Sequence, residues 1–394
     1  MLTGEIGEET RLSLAAIARF GAREAPRVAV ARPRLPPAER LMPYLSQIDE
    51  ARWYSNFGPL LTRFEGRLAD RFAPGTQVIT AVNATQALTL TLQAMDLPRG
   101  GLCALPAWTF VATAHAVAAA GLTPWFVDVD LDTWMLTPAG VEAALAFAPG
   151  PVVAALPVSA FGALPDLAGW SAFRARTGVP VLVDAAAAFD TIAEADLPAV
   201  VSLHATKVLG IGEGGFLATT DAALAERVRQ FTTYGFHGSR EAHFPATNAK
   251  LSEYAAAVGL AALDGWDADR LLFALAGQRL RVGFALTPEI VFQSGWALDW
   301  VTSVCAVRTP DGAAHIVDEA LASAGIDTRR WWGEGCHRAP AFQACPRTEL
   351  PNTERLAAST VGLPFSIDLT AEEVDRTAAA VLEALSARRW EPAP

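Results

Sequence analysis

The chain is short of cysteine, of positive charge and of unbroken apolar runs. Four cysteines occur among 394 residues, Cys103, Cys305, Cys336 and Cys345, and no two have CxxC spacing. That density argues against a disulfide framework and suits a reducing, cytoplasmic compartment. Cys336, His337 and Cys345 lack a fourth ligand and a second cysteine pair, so no metal is expected. Lys plus Arg number 31 against 42 Asp plus Glu, a net charge of −11. No dense basic patch offsets this, so neither nucleic acid nor an anionic membrane surface is an expected partner. The N-terminus lacks the basic start and apolar run of a signal peptide. The uncharged stretch 145–165 is broken by Pro149, Gly150, Pro151 and Pro157, which suits a helix end, a turn and a buried strand better than a membrane span. No GxGxxG follows the first candidate strand, and no GxxxxGK[ST] occurs, so dinucleotide and P-loop binding lose their main markers.

Hydrophobic residues make up 52% and charged residues 19% of the chain, enough for a large core and for two domains. Residues 1–50 read as a proline-rich arm, 51–266 as a large domain, and 267–394 as a linking helix followed by a smaller α/β domain. Short apolar runs predict seven strands: Val78–Val82, Leu102–Leu105, Pro124–Val127, Val152–Val158, Val179–Val183, Ala199–Leu203 and Gly215–Thr219. Helical patterns lie between them, over Thr85–Met95, Ala112–Ala120, Pro138–Ala146 and Pro165–Arg176. This alternation is that of an α/β protein with a mostly parallel seven-stranded sheet. Further helices are predicted over Phe64–Phe72, Asp221–Thr232, Ser252–Trp266, Asp269–Thr287, His315–Ala324 and Thr370–Leu385, and a strand over Trp300–Arg308.

Two segments could carry chemistry. In VPVLVDAAAAFD an apolar run leads into Asp184, at the strand end where open α/β sheets bind ligands. Burial there raises a carboxyl pKa unless a cation sits nearby; alone, Asp184 could equally be a helix cap. In VSLHATKVLGIGEGG, Lys207 follows Ser202 and His204 in a turn rich in glycine. Such a lysine is either exposed or, in a pocket, able to form a Schiff base. His204 reads as a base or a packed imidazole. The Asn83–Gln86 turn leaves free N–H groups at a helix start, with Thr85 as the expected cap, and such a start seats a phosphate. Pyridoxal phosphate needs a lysine, an acid for its ring nitrogen, phosphate donors and an apolar face. Lys207, Asp184, the Thr85 turn with Ser202, and Phe110 could supply them.

The chain also resembles the DegT/DnrJ/EryC1/StrS sugar aminotransferases, within the fold type I pyridoxal-phosphate enzymes. The likeness runs through SNFGPL, NATQAL, PAWTFVATAHAV, PWFVDVDLDTW, VLVDAAAAFD, SLHATKVLGIGEGGF, NAKLSEYAAAVGL and GLPFSIDLTAEEV. It implies a three-layer fold with a smaller C-terminal domain, and a pyridoxal phosphate cycling through pyridoxamine phosphate. Lys207 is implied as the Schiff-base lysine, Asp184 as the partner of the ring nitrogen, and Phe110 as the stacking aromatic. Ala84, Thr85, Gln86 and Ser202 match the phosphate site, with Ala84 where a glycine is usual. Asn248 resembles the asparagine that reaches the phosphate of the neighbouring subunit, which implies a homodimer with shared sites. One position departs: where members carry Gln or His three residues after the aspartate, this chain has Ala187.

The resemblance implies amino transfer from L-glutamate to a nucleotide-linked keto sugar, with dTDP-4-keto-6-deoxyglucose as the favoured acceptor. Tyr54, Trp108, Glu213, Arg240 and Arg329 are candidates to contact it, each with an ordinary packing or solvated reading beside it. The alternatives are a pyridoxal-phosphate-dependent sugar dehydratase and a non-catalytic cofactor-binding regulator.

Overall fold

The computed structural model of the protein describes residues 26–388, so the first half of the expected arm lies outside the described residues. From Pro26 the arm runs along the C-terminal part. Val28 and Ala31 form single parallel bridges with Ile326 and Phe365. Arg32 grips Glu373 with two hydrogen bonds of 2.8 and 3.0 Å. Helix α1 follows (Ala38–Ala51) and then α2 (Pro59–Ala69), which starts and stops earlier than the predicted Phe64–Phe72. Pro59 suits a first helical position, where no N–H partner is needed.

Strands form at all seven predicted places, several shorter than expected, and the one predicted over Val179–Val183 is displaced to Val183–Asp184. They are β1 (Gln77–Ala81), β2 (Leu102–Pro106), β3 (Thr123–Val127), β4 (Val152–Ala155), β5 (Val183–Asp184), β6 (Ala199–Ser202) and β7 (Gly215–Thr219). They do not make one continuous sheet. A four-stranded sheet has the order β1-β7-β6-β5, and a three-stranded sheet has the order β3-β2-β4. Single parallel bridges, Ala155 to Val181 and Val158 to Asp184, cross between the two. The β2–β3, β2–β4 and β5–β6 pairs are parallel, whereas β7 is antiparallel to both neighbours. Both faces are covered: Leu102 and Ala104 enter one core cluster, Cys103 and Leu105 another. Such double burial explains the unalternating apolar strands.

The crossover helices are α3 (Ala84–Ala94), α4 (Val111–Ala119), α5 (Pro138–Ala144), α6 (Leu167–Thr177) and α7 (Ala222–Phe231). The two helices predicted over 252–287 are one, α8 (Glu253–Gly283), of 31 residues. The charged stretch around Asp267 and Asp269 imitates a break, but no proline interrupts it and Asp269 is paired with Arg34. Beyond α8 lie β8 (Val291–Phe292), β9 (Cys305–Arg308), α9 (Ala314–Ser323), α10 (Pro351–Ser359), β10 (Thr360–Leu363) and α11 (Ala371–Arg388). Strands β8, β9 and β10 form a separate antiparallel sheet with its own core. Only the last four residues of the predicted strand 300–308 are extended. Among the described residues no helix is long and apolar enough to cross a membrane.

Candidate active site

The carboxyl ends of β1, β2, β5 and β6 point the same way, and the loops leaving them carry the predicted chemistry. Asp184 ends β5 and is buried. Its Oδ2 accepts the Thr113 hydroxyl at 2.8 Å, and its Oδ1 accepts the Ala186 N–H at 3.1 Å. Burial raises its pKa, while these two bonds and the charge of Lys207 pull it back. Lys207 lies in the loop between β6 and β7, half-buried, its N–H donating to the His204 carbonyl at 2.8 Å. Burial lowers its pKa, and Asp184 opposes that shift. The amine and the carboxylate therefore share one field.

A second group assembles at the start of α3. Asn83, rather than the expected Thr85, caps this helix: its Oδ1 accepts the Gln86 N–H at 2.8 Å. Asn83 is the last residue with extended backbone, which is where a cap must sit. Ser202 on β6 is opposite Gly215 on β7. A Cβ on Gly215 would stand 2.5 Å from the Ala84 nitrogen, so glycine is what lets β7 approach the helix start. The Ala84 N–H, followed by that of Thr85, thereby lies against the β7 backbone that pairs with Ser202, whose hydroxyl accepts the His204 N–H at 3.2 Å, and such a helix N-terminus favours an anion.

Phe110 stands at the N-cap of α4 and is 58% exposed, an unusual state for phenylalanine. It borders a cavity of about 310 Å³ shared with Trp331, Trp332, Glu334 and Arg338. Lys207 lines a different, narrow cleft with Arg32, Arg34, Phe273 and Ser366. His204 accepts the Thr206 N–H at Nδ1, so its Nε2 bears the ring proton and faces Glu213 Oε1 at 3.6 Å.

The remaining candidates are scattered. Tyr54 is exposed and stacks on Tyr254 at 6.2 Å. Trp108 is buried, edge-on to Trp332 at 5.3 Å, and presents no open face. Arg240 is exposed, and the Arg329 guanidinium covers the Trp331 ring at 4.9 Å. Asn248 is exposed, its side-chain oxygen accepting from Lys250 Nζ. Thr113 and the Trp331–Trp332 loop escaped the sequence reading. Thr113 had a signal, lying one helical turn from Thr109 on the same face.

Residues 37–382 match the DegT/DnrJ/EryC1/StrS aminotransferase family. The chain belongs to that family. Protein Rv3402c of Mycobacterium tuberculosis is 30% identical over 373 residues, spanning 91% of this chain and 90% of its own length. GDP-perosamine synthase of Caulobacter vibrioides is 28% identical over 376 residues, spanning 91% and 99%. The crystal structure of DesI, obtained in the presence of its TDP-sugar product, has a TM-score of 0.82 at 30% identity, covering 95% of this chain and 99% of that one. The protein is a pyridoxal-phosphate-dependent aminotransferase of fold type I with a C-terminal subdomain, and its cofactor cycles between pyridoxal and pyridoxamine phosphate.

The side chains present fit that cofactor. Asp184 offers a buried acceptor for a protonated ring nitrogen, and Lys207 an amine that burial drives toward its neutral, nucleophilic form. The α3 N-terminus suits a phosphate, and the bare face of Phe110 a flat ring. Ala187 contributes no polar side chain. Its carbonyl oxygen lies 3.0 Å from where a Cβ on Gly162 would stand.

Proposed function

We propose that the protein moves an amino group from L-glutamate to a keto sugar carried on a nucleoside diphosphate, in two half-reactions on one site. The placement of Asp184 at the end of β5 and of Lys207 in the loop leaving the neighbouring parallel strand β6 carries this reading. Bound pyridoxal phosphate supplies an electron sink for the carbanion at the amino-bearing carbon. Lys207 would hold the aldehyde, and its Nζ would serve as the base for the α-proton of the amino donor. Asp184 keeps the ring nitrogen protonated. Ala84, Thr85, Gln86 and Ser202 anchor the phosphate, and Phe110 covers the ring. Asn248 completes the phosphate site of a second copy, which makes a homodimer the working unit. The strands flanking the site act as one seven-stranded layer, joined by the two bridges between β4 and the β5 edge.

A nucleotide carrier is supported by the relatives, one named for GDP-perosamine and another crystallised with its TDP-sugar product. The favoured acceptor is dTDP-4-keto-6-deoxyglucose, aminated at C4. Trp331, Trp332 and Phe110 offer aromatic faces for base or sugar, with Glu334 and Arg338 at the rim of the same cavity. Tyr54, Glu213, Arg240 and Arg329 are the outer contacts, whereas Trp108 acts by supporting Trp332. Incubation of the loaded enzyme with L-glutamate and a panel of nucleotide keto sugars tests the assignment. One 2-oxoglutarate per amino sugar is expected. A dehydrated sugar without nitrogen, or no 2-oxoglutarate, would refute it and point to the dehydratase or the regulator.

A further inference from the structure

We infer that Thr113, backed by Thr109, is a positioning residue that holds the Asp184 carboxylate as an acceptor and fixes its orientation. The inference rests on the reading that Asp184 receives the cofactor's ring nitrogen.

A threonine inside a helix ordinarily bonds back to the carbonyl four residues earlier. In α3, Thr89 does so to Thr85 and Thr91 to Ala87, at 2.9 and 2.7 Å. Thr113 does not. Its hydroxyl leaves the helix for Asp184 Oδ2. Thr109, four residues earlier, precedes the Phe110 cap and lies outside α4, so its carbonyl is not part of the helical ladder; it receives the Cys336 thiol at 3.1 Å. Thr113 has a single hydroxyl hydrogen and spends it on Asp184. With the Thr113 hydrogen on Asp184, the 3.0 Å contact between the two threonine hydroxyls is open only to the Thr109 hydrogen, whose other acceptor, the Phe110 carbonyl, is farther away at 3.5 Å. Thr109, Thr113 and Asp184 form a directed chain that must end on an acceptor. Both threonines are buried, so no solvent competes for these hydrogens.

The chain has two effects. With Ala186 N–H on Oδ1 and Thr113 on Oδ2, the carboxylate is held at both oxygens and cannot turn about its Cβ–Cγ bond. Hydrogen bonds also polarise one another in series, which strengthens the terminal bond to the charged oxygen. Without the hydroxyl, a carboxylate in this buried position takes up a proton more readily and no longer stabilises a protonated ring nitrogen.

Equilibrium binding of pyridoxal phosphate to the apo protein at neutral pH tests this with T113V, T113S and T109V. T113V keeps the branched shape and lacks the donor; about 10- to 100-fold weaker binding is expected, the range for a bond to a charged group. T113S restores the donor and should bind within about threefold of the wild type. T109V leaves Asp184 its direct partner and should weaken binding about 3- to 10-fold. If T113V fails to fold, T109V carries the test. Undiminished binding by T113V or T109V, or T113S as weak as T113V, overturns the inference. Wild-type protein that does not bind pyridoxal phosphate, or D184N that binds it as tightly as the wild type, sinks the reading of Asp184 instead.

Discussion

Asp184 ends β5 and Lys207 lies in the loop leaving the neighbouring parallel strand β6, and each opposes the shift toward neutrality that burial imposes on the other. That balance gives the two residues separable roles. D184N keeps the shape and removes the charge, so the cofactor ring loses its counter-ion while Lys207 loses the group that opposes its desolvation. The glutamate half-reaction should slow by about 10²- to 10³-fold, the cost of removing one preorganised electrostatic partner. K207A should slow it by about 10²- to 10⁴-fold, through loss of the acid–base group. Stopped-flow absorbance of the loaded proteins on mixing with glutamate reads both. Full half-reaction rates in K207A would remove the lysine from the mechanism.

The SNFGPL segment and the start of α8 are locked together. Glu253 is buried, and its carboxylate accepts the Leu60 and Leu61 N–H groups at 2.8 and 2.9 Å, closing the exposed end of α2. A Cβ on Gly58 would stand 2.6 Å from Glu253 Cδ, so glycine precedes the helix because the carboxylate needs that space. E253A leaves two buried donors unmet and should cost about 2–4 kcal/mol in urea unfolding of the apo protein. G58A should cost about 1–3 kcal/mol by crowding. The double variant should cost less than the sum, because removing the carboxylate relieves the clash. Additive losses would mean that the two residues do not meet as described.

His337 gives a pH signature. It is buried, and neither ring nitrogen has a hydrogen-bond partner among the described residues. Burial lowers its pKa, helped by Arg338 and Arg347 and opposed by Glu354 and Asp128. A depressed histidine pKa means that the unfolded chain binds more protons than the native one between the folded value and about 6.5. Stability is therefore lost as pH falls through that window, by at most about 1.4 kcal/mol per pH unit. From pH 7 to pH 5 the urea midpoint of the wild type should fall more steeply than that of H337L. Parallel curves would show that the imidazole is protonated equally in both states.

Local chemistry made part of this site legible in the sequence. Asp184 follows an unalternating apolar run and ends β5 buried, and Lys207 precedes a glycine run and lies half-buried in the loop between β6 and β7; the pattern marked both positions but left each an ordinary structural alternative. The misplaced cap shows the limit. Asn83 and Thr85 are equally good cap residues, and only backbone conformation chooses between them. The breadth of the sheet was not legible either, because the link between its two halves is two single bridges, each joining a strand end, Ala155 or Asp184, to a residue outside the regular strands, Val181 or Val158. The Trp331–Trp332 loop reaches the site through contacts that join distant parts of the chain: the Cys336 N–H donates to the Ala107 carbonyl and its thiol to that of Thr109. Periodicity records which face of an element is buried, not what a loop 227 residues away will cover.

The proposal that two copies share their sites makes a prediction that neither subunit satisfies alone. Asn248 is exposed, its side chain bonds to Lys250 Nζ, and its bridge to Thr233 is made by backbone that alanine keeps, so its loss should leave the subunit's own fold intact. If Asn248 serves the phosphate of a second copy, N248A and K207A damage the same site from opposite chains. Each variant alone should turn over poorly. Unfolding and refolding the two together yields hybrid dimers in which one site draws Lys207 from the first chain and Asn248 from the second, and is whole. With random pairing half the dimers are hybrids, so activity should return to about a quarter of the wild-type level. Size-exclusion chromatography with light scattering confirms that dimers have formed. Dimers that show no recovery would place Asn248 outside the partner's site, whereas N248A with wild-type turnover would remove it from the site altogether.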